Sequence, residues 1–142
     1  MSDSFVSLRA PEPVGPYPHA RRAGSLLFLS GIGPRQRGST QIPGVTLLPD
    51  GSVVAYDIEA QCRSVFANLR AVLEDAGSRW EDLVDVTVFL TNMKADFKAY
   101  NQLYAEYFTA HRPCRTTVEV GALPTPIAIE LKCIAVLGGL VE

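Results

Sequence analysis

Arg115 sits in Pro113-Cys114-Arg115-Thr116 and opens a segment of alternating polarity rather than riding on a solvated helix. A guanidinium so placed can receive a carboxylate through two parallel hydrogen bonds, or can close a surface salt bridge at a strand end. Spacing alone favours the salt bridge. Glu130 stands inside the apolar run from Ile127 to Ala135, where acids are depleted. Buried there, it needs a partner or a raised pKa, and either makes it an acid–base group; exposed, it pairs with Lys132. Glu119, between Val118 and Val120, poses the same choice.

Asn101 follows Phe97 by four residues and precedes Tyr104 by three, on what reads as the apolar stripe of a helix. A core-facing amide must find partners, and neighbouring backbone is favoured over a ligand. Tyr17 and Ser30 each offer one hydroxyl beside glycines at the ends of extended segments. His19 and His111 read as surface residues and Cys62 as core. The chain has no GxSxG, no phosphate-binding glycine loop, no GxGxxG and no HExxH. Cys62, Cys114 and Cys133 form no CxxC pair, so no metal site is expected. Any catalysis here must be chemically light.

The elements that hold these residues follow from pattern. Four prolines within residues 1–25 give an extended lead-in, in part an edge strand. Leu26–Ser30 reads as a short buried strand ending at Gly31. Residues 33–51 read as a long loop, of the kind that is usually functional, with Val45–Leu48 and Ser52–Ala55 as short hairpin strands. Asp57 caps the clearest helix, which carries Cys62, Val65, Phe66, Leu69 and Leu73 on one face and stops at Gly77. Ser78-Arg79-Trp80-Glu81 resembles a capping box for one short turn. Val84–Leu90 alternates as a strand, and a second helix runs from about Asp96 to Ala110 with Phe97, Tyr100, Tyr104 and Phe108 as its stripe. Thr116–Val120 and Ile127–Ala135 close the chain as strands. Two helices of this length can cover one face of a sheet. The other sheet face, with Ala128, Ile134 and Val136 around Glu130 and Lys132, is also apolar and predicts self-association.

Composition narrows the partners. The 142 residues make one domain, 1–142. Thirteen Lys and Arg against fifteen Asp and Glu leave a net charge of −2, which speaks against a nucleic-acid partner. Arg35 and Arg37, with Arg21–Arg22 behind them, are too thin a basic cluster. The start, Met-Ser-Asp-Ser-Phe, has neither a basic nor an apolar leader, and no apolar run reaches the roughly 18 residues of a membrane span. With three cysteines this points to the reducing cytoplasm.

Taken together, Gly15-Pro16-Tyr17, Leu29-Ser30-Gly31, Asn68-Leu69-Arg70-Ala71-Val72-Leu73, Tyr100-Asn101 with Tyr104, Pro113-Cys114-Arg115-Thr116, Val118-Glu119-Val120 and Ile129-Glu130 resemble the RidA/YjgF family of enamine/imine deaminases over residues 11–137. The resemblance implies a chorismate-mutase-like α+β fold, with a mixed sheet and two helices packed on one face, and a homotrimer with three active sites at the subunit interfaces. It also implies hydrolysis of an enamine or imine carboxylate, such as 2-aminoacrylate, to a keto acid and ammonia without metal or organic cofactor. Arg115 becomes the carboxylate anchor and Glu130 the group that orients water. Tyr17, Ser30, Gly31, Asn101 and Thr117 line the pocket. Thr117 stands where many members carry cysteine, Ile32 where many carry glutamine, and the segment from Arg35 to Gly51 is longer than in compact members. Arg35 or Arg37 in that segment suits a second carboxylate. The resemblance therefore extends to 2-aminomuconate deaminases, which form 4-oxalocrotonate in the degradation of aromatic compounds. The competing expectations are a general 2-aminoacrylate deaminase that protects pyridoxal-phosphate enzymes, and a non-catalytic trimer that binds small carboxylates.

Overall fold

A computed structural model describes residues 3–139. Met1, Ser2 and residues 140–142, the ends of the expected 1–142 domain, lie outside the described residues. The strands are β1 (Ser4–Phe5), β2 (Ala20–Ala23), β3 (Leu26–Leu29), β4 (Val45–Leu47), β5 (Val53–Tyr56), β6 (Leu83–Leu90), β7 (Cys114–Glu119) and β8 (Ile129–Val136). The helices are α1 (Ile58–Asp75) and α2 (Met93–Tyr107), with a 3₁₀ turn at Trp80–Asp82. Six strands form one mixed sheet in the order β1-β2-β3-β8-β6-β7, and β4-β5 stand apart as a hairpin. Only β6 and β7 run parallel, joined through α2; the other neighbours are antiparallel. The α+β reading therefore holds, with two helices on a mixed sheet.

Period-two alternation sets what each face of the sheet carries. In β8, Ile129, Leu131, Cys133 and Ala135 are buried, while Glu130, Lys132, Ile134 and Val136 are half-exposed. Helix α1 lays Cys62, Val65, Phe66, Leu69 and Leu73 on the buried face. Each leucine fully buried this way contributes about 1.5–3 kcal/mol. Asp57 caps α1 through Oδ1, which accepts from the Glu59 and Ala60 amides at 3.0 and 3.4 Å. At the other end, Ser78 N donates to Leu73 O and Gly77 N to Glu74 O, with Gly77 at φ 83°. That paired closure needs a left-handed residue, which glycine supplies without strain.

The structure corrects the sequence reading in several places. The lead-in does supply the expected edge strand, β1, but it also supplies an unexpected strand, β2, which pairs with β3 across Gly24 at φ 62°. Helix α2 begins three residues earlier than expected, because Asn92 Oδ1 accepts from Ala95 N. Its buried stripe is Asp96, Tyr100 and Leu103, so Phe97 and Asn101 fall on the exposed flank. The short turn is capped by Arg79 and Asp82 rather than by Ser78 and Glu81. No helix among the described residues is long and apolar enough to cross a membrane.

Candidate active site

The candidate residues fall into two groups on one chain. The first gathers where β3 ends and β8 begins. Tyr17, Ser30, Gly31, Arg35, Ile127 and Glu130 line one cleft there. The Ile32–Leu131 bridge brings these segments together, with Ile32 N donating to Leu131 O at 2.9 Å and Leu131 N returning a bond to Ile32 O at 2.8 Å. Glycine at 31 permits the approach: a Cβ on it would lie 2.8 Å from Glu130 Oε2 and 3.0 Å from Cδ. Glu130 is half-buried, and burial raises its pKa, with Arg35 pulling the other way. A carboxyl set so is a stronger base than an exposed one once ionised. Lys132, the expected partner of Glu130, instead donates to Leu29 O.

The wall of this cleft is anchored by its own chain. Ser30 Oγ donates to Pro18 O at 2.7 Å. His19 is buried, not on the surface as its flanks suggest. Its Nδ1 accepts from Ser7 N at 3.0 Å, so Nε2 carries the proton and donates to Pro11 O at 2.7 Å. The neutral ring thus pins the 7–11 segment beside the cleft. Tyr17 is 40% exposed, and its hydroxyl accepts from Val14 N at 3.2 Å.

The two loop arginines part company. Arg35 lines the cleft and donates from Nη2 to Glu12 O at 2.7 Å. It is held there from α1: Asn68 Nδ2 donates to Gly33 O and Arg35 O at 2.8 and 2.7 Å, and Ser64 Oγ to Pro34 O at 2.8 Å. Arg37 turns away. Its Nη1 donates to Ser7 O and Ala10 O at 3.1 and 2.9 Å, and Nε lies 3.5 Å from Glu12. Arg37 ties down the lead-in and does not line the cleft.

The second group lies against α2 at the β7 edge. Arg115 Nη1 donates to Asn101 Oδ1 at 2.8 Å, and the guanidinium lies 4.7 Å from the Tyr104 ring centre and 5.5 Å from that of Tyr100. Asn101, Tyr104, Phe108, Arg112 and Arg115 share an open groove. Thr117 sits behind it, and its hydroxyl is buried without a well-formed hydrogen bond, as are those of Tyr100 and Tyr104. Glu119 is spent on α2, accepting from Met93 N at 2.9 Å.

Register keeps the two groups apart. Arg115 pairs with Val86 and hence with Cys133, on the helix-covered face. Glu130 pairs with Phe89, on the open face. Neighbouring side chains along a strand point to opposite faces, so Arg115 and Glu130 cannot meet within one chain. Sequence reasoning missed the arginine's aromatic seat, the Ser64/Asn68 clamp and His19. The i, i+4 spacing of Ser64 and Asn68 on α1 was the one available signal. Among the described residues, no group of three or more His, Cys, Asp or Glu could hold a metal ion.

Comparison with known proteins adds chemistry to this geometry. The family described as Endoribonuclease L-PSP matches residues 7–137. A RutC family protein of Pyrococcus horikoshii is 40% identical over 136 residues, covering 95% of this chain and 98% of the relative. The 2-iminobutanoate/2-iminopropanoate deaminase of Salmonella typhimurium is 36% identical over 139 residues, covering 96% and 98%. The crystal structure of the YjgF gene product from E. coli superposes with a TM-score of 0.80 at 32% identity, covering 95% of this chain and 98% of that one.

Proposed function

Because the chain belongs to the Endoribonuclease L-PSP family, the RidA/YjgF group, we propose that it is a deaminase of small 2-imino and 2-enamino carboxylates. The relative in Salmonella named for 2-iminobutanoate and 2-iminopropanoate supports this reading. The observation that carries it is Glu130, half-buried in the cleft with no hydrogen bond to its carboxylate among the described residues and a raised pKa.

The chemistry asks little of the protein. An imine carbon is already electrophilic, so fixing the substrate carboxylate and placing one water suffice. Arg115 holds the carboxylate through parallel hydrogen bonds. Glu130 accepts a proton from water as its oxygen bonds to the imine carbon and the C=N electron pair moves to nitrogen. Glu130 hands that proton on to the nitrogen, and the hydroxyl proton follows it as the oxygen closes the C=O bond and the C–N bond breaks, so one water yields the 2-oxo acid and ammonia. Tyr17 and Ser30 shape the cleft, and Gly31 lets Glu130 come close. On this reading Arg115 of one copy meets Glu130 of another across a homotrimer, since one chain holds them on opposite faces.

A finer reading has one specific support. Arg35 lines the Glu130 cleft and suits a second carboxylate, which favours a dicarboxylic substrate such as 2-aminomuconate, converted to 4-oxalocrotonate and ammonia. Its mark is a preference for 2-aminomuconate over 2-iminopropanoate that Arg35→Gln abolishes.

The decisive experiment is complementation. Glu130→Gln and Arg115→Ala proteins are each inactive in ammonia release from freshly generated 2-iminopropanoate, after the spontaneous rate is subtracted. Unfolded together in equal amounts and refolded, they regain about a quarter of wild-type activity, because one interface in four pairs an intact Glu130 with an intact Arg115. No recovery refutes the shared site, and full activity of either single protein refutes the assigned role.

A further inference from the structure

Three hydroxyls are buried in one small region without a well-formed hydrogen bond: Tyr100, Tyr104 and Thr117. Leaving polar atoms so is costly, and a native fold rarely does it without reason. All three surround one residue. The Arg115 guanidinium lies over both tyrosine rings, and Thr117 and Arg115 both act on the Tyr100 hydroxyl, pulling its pKa down against the larger effect of burial. Burial drives the phenols' pKa upward, to about 12 at Tyr100, so both rings stay neutral and electron-rich. The Tyr104 ring is itself wedged, stacked on Phe108 at 4.2 Å and tilted against Tyr100 at 5.8 Å.

We propose that Tyr104, backed by Tyr100, is a positioning residue for Arg115: the ring faces form a platform that orients the guanidinium for a carboxylate. This rests on the reading of Arg115 as the anchor. Asn101 takes one Nη1 hydrogen and the rings take the face of the plane, which fixes both in-plane direction and tilt. The remaining donors of the fork then point away from the protein in a set direction. Arginine is otherwise among the most mobile of side chains, so its rotamer freedom is lost here before the substrate arrives rather than on binding. The attraction is to the ring and not to the phenol oxygen.

A fluorination series separates this from mere packing. Position 104 is filled with phenylalanine carrying no, one, two or three fluorines, which drains the ring face of electron density at nearly constant size. KM for 2-iminopropanoate and Ki for pyruvate rise stepwise with fluorination, to about five-fold at three fluorines, while kcat moves less than two-fold. Tyr104→Phe keeps the wild-type KM. A flat series beside an Arg115→Ala protein that has lost its affinity for pyruvate, measured by calorimetry, overturns the platform and leaves the anchor standing. An Arg115→Ala protein that binds pyruvate with unchanged affinity overturns the anchor itself. Because Tyr104→Leu would also open a hole in the aromatic cluster, the near-isosteric series and not that variant carries the test.

Discussion

Replacing Gly31 by alanine isolates the placement of Glu130 from its chemistry. The backbone at Gly31 has no positive φ, so alanine is conformationally tolerated there. The new Cβ would lie 2.8 Å from Glu130 Oε2 and 3.0 Å from Cδ, inside contact distance, with nothing nearer than these flexible carboxylate atoms. The carboxylate must retreat by about half an ångström to restore ordinary contact. That shift costs the fold little, because the end of a long side chain moves and the unfolded chain loses some freedom. The expected change in stability is within about 0.5 kcal/mol. Catalysis is less forgiving: a misplacement of about 1 Å can cost a hundred-fold, so kcat falls by roughly 10- to 100-fold. KM moves little, since the added Cβ displaces the Glu130 carboxylate and not the carboxylate anchor, which on the proposed reading is Arg115 of another copy. The assay is ammonia release from freshly generated 2-iminopropanoate, with the urea midpoint measured on the same preparation. A Gly31→Ala protein with wild-type kcat, beside an inactive Glu130→Gln, would mean that the position of this carboxylate does not set the rate.

The pH profile follows from the same group. Burial raises the Glu130 pKa and Arg35 lowers it, so a base at this site loses activity as pH falls through a midpoint above the ordinary carboxylate range; Arg35→Gln moves that acid limb to higher pH, and an unmoved limb refutes the coupling. Arg37→Ala weakens the hold on the Ser7 and Ala10 carbonyls and lowers the thermal midpoint, while the ratio of kcat/KM for 2-aminomuconate and 2-iminopropanoate stays at the wild-type value. Asp57→Ala removes the acceptor for two amides at the start of α1 and costs about 1 kcal/mol in urea unfolding, with no change in activity per folded molecule.

Where local physics decides, the sequence was readable. Asp57 and Gly77 mark both ends of α1 because a side-chain acceptor and a left-handed glycine are local requirements. The alternation in Val84–Leu90 and Ile129–Ala135 fixed which residues of β6 and β8 are buried, and with them the opposite facing of Arg115 and Glu130. Contacts distant in sequence were not readable. His19 looks like a surface residue beside Pro18, yet Ser7 and Pro11 close over it. Asn101 reads as core if the stripe is drawn through Phe97, but Tyr56 donates to Asp96 Oδ2 at 2.6 Å and turns the stripe to Asp96, Tyr100 and Leu103. Arg35 and Arg37 are two residues apart and chemically alike. Only the Asn68 clamp and the Ser7 and Ala10 carbonyls send one to the cleft and the other to the lead-in.

The opposite facing of anchor and base has an energetic consequence. Within a chain, no rotamer of either side chain crosses the sheet, so on the proposed reading the geometry that links them comes from association and not from folding. Under that proposal substrate bridges two copies, and each bound molecule adds its differential affinity to the assembly. The apolar open face of β8 and β3, with Ile134, Val136, Leu26 and the 37% exposed Phe28, supplies hydrophobic area for that association. Lys132 lies on the same face with its ammonium already turned onto Leu29 O, which lessens the cost of covering a charge. The alternation that builds the core would then also build the proposed half-sites: every second residue of β8 packs against the helices, and the residues between them stay half-exposed for the copy that the proposal requires.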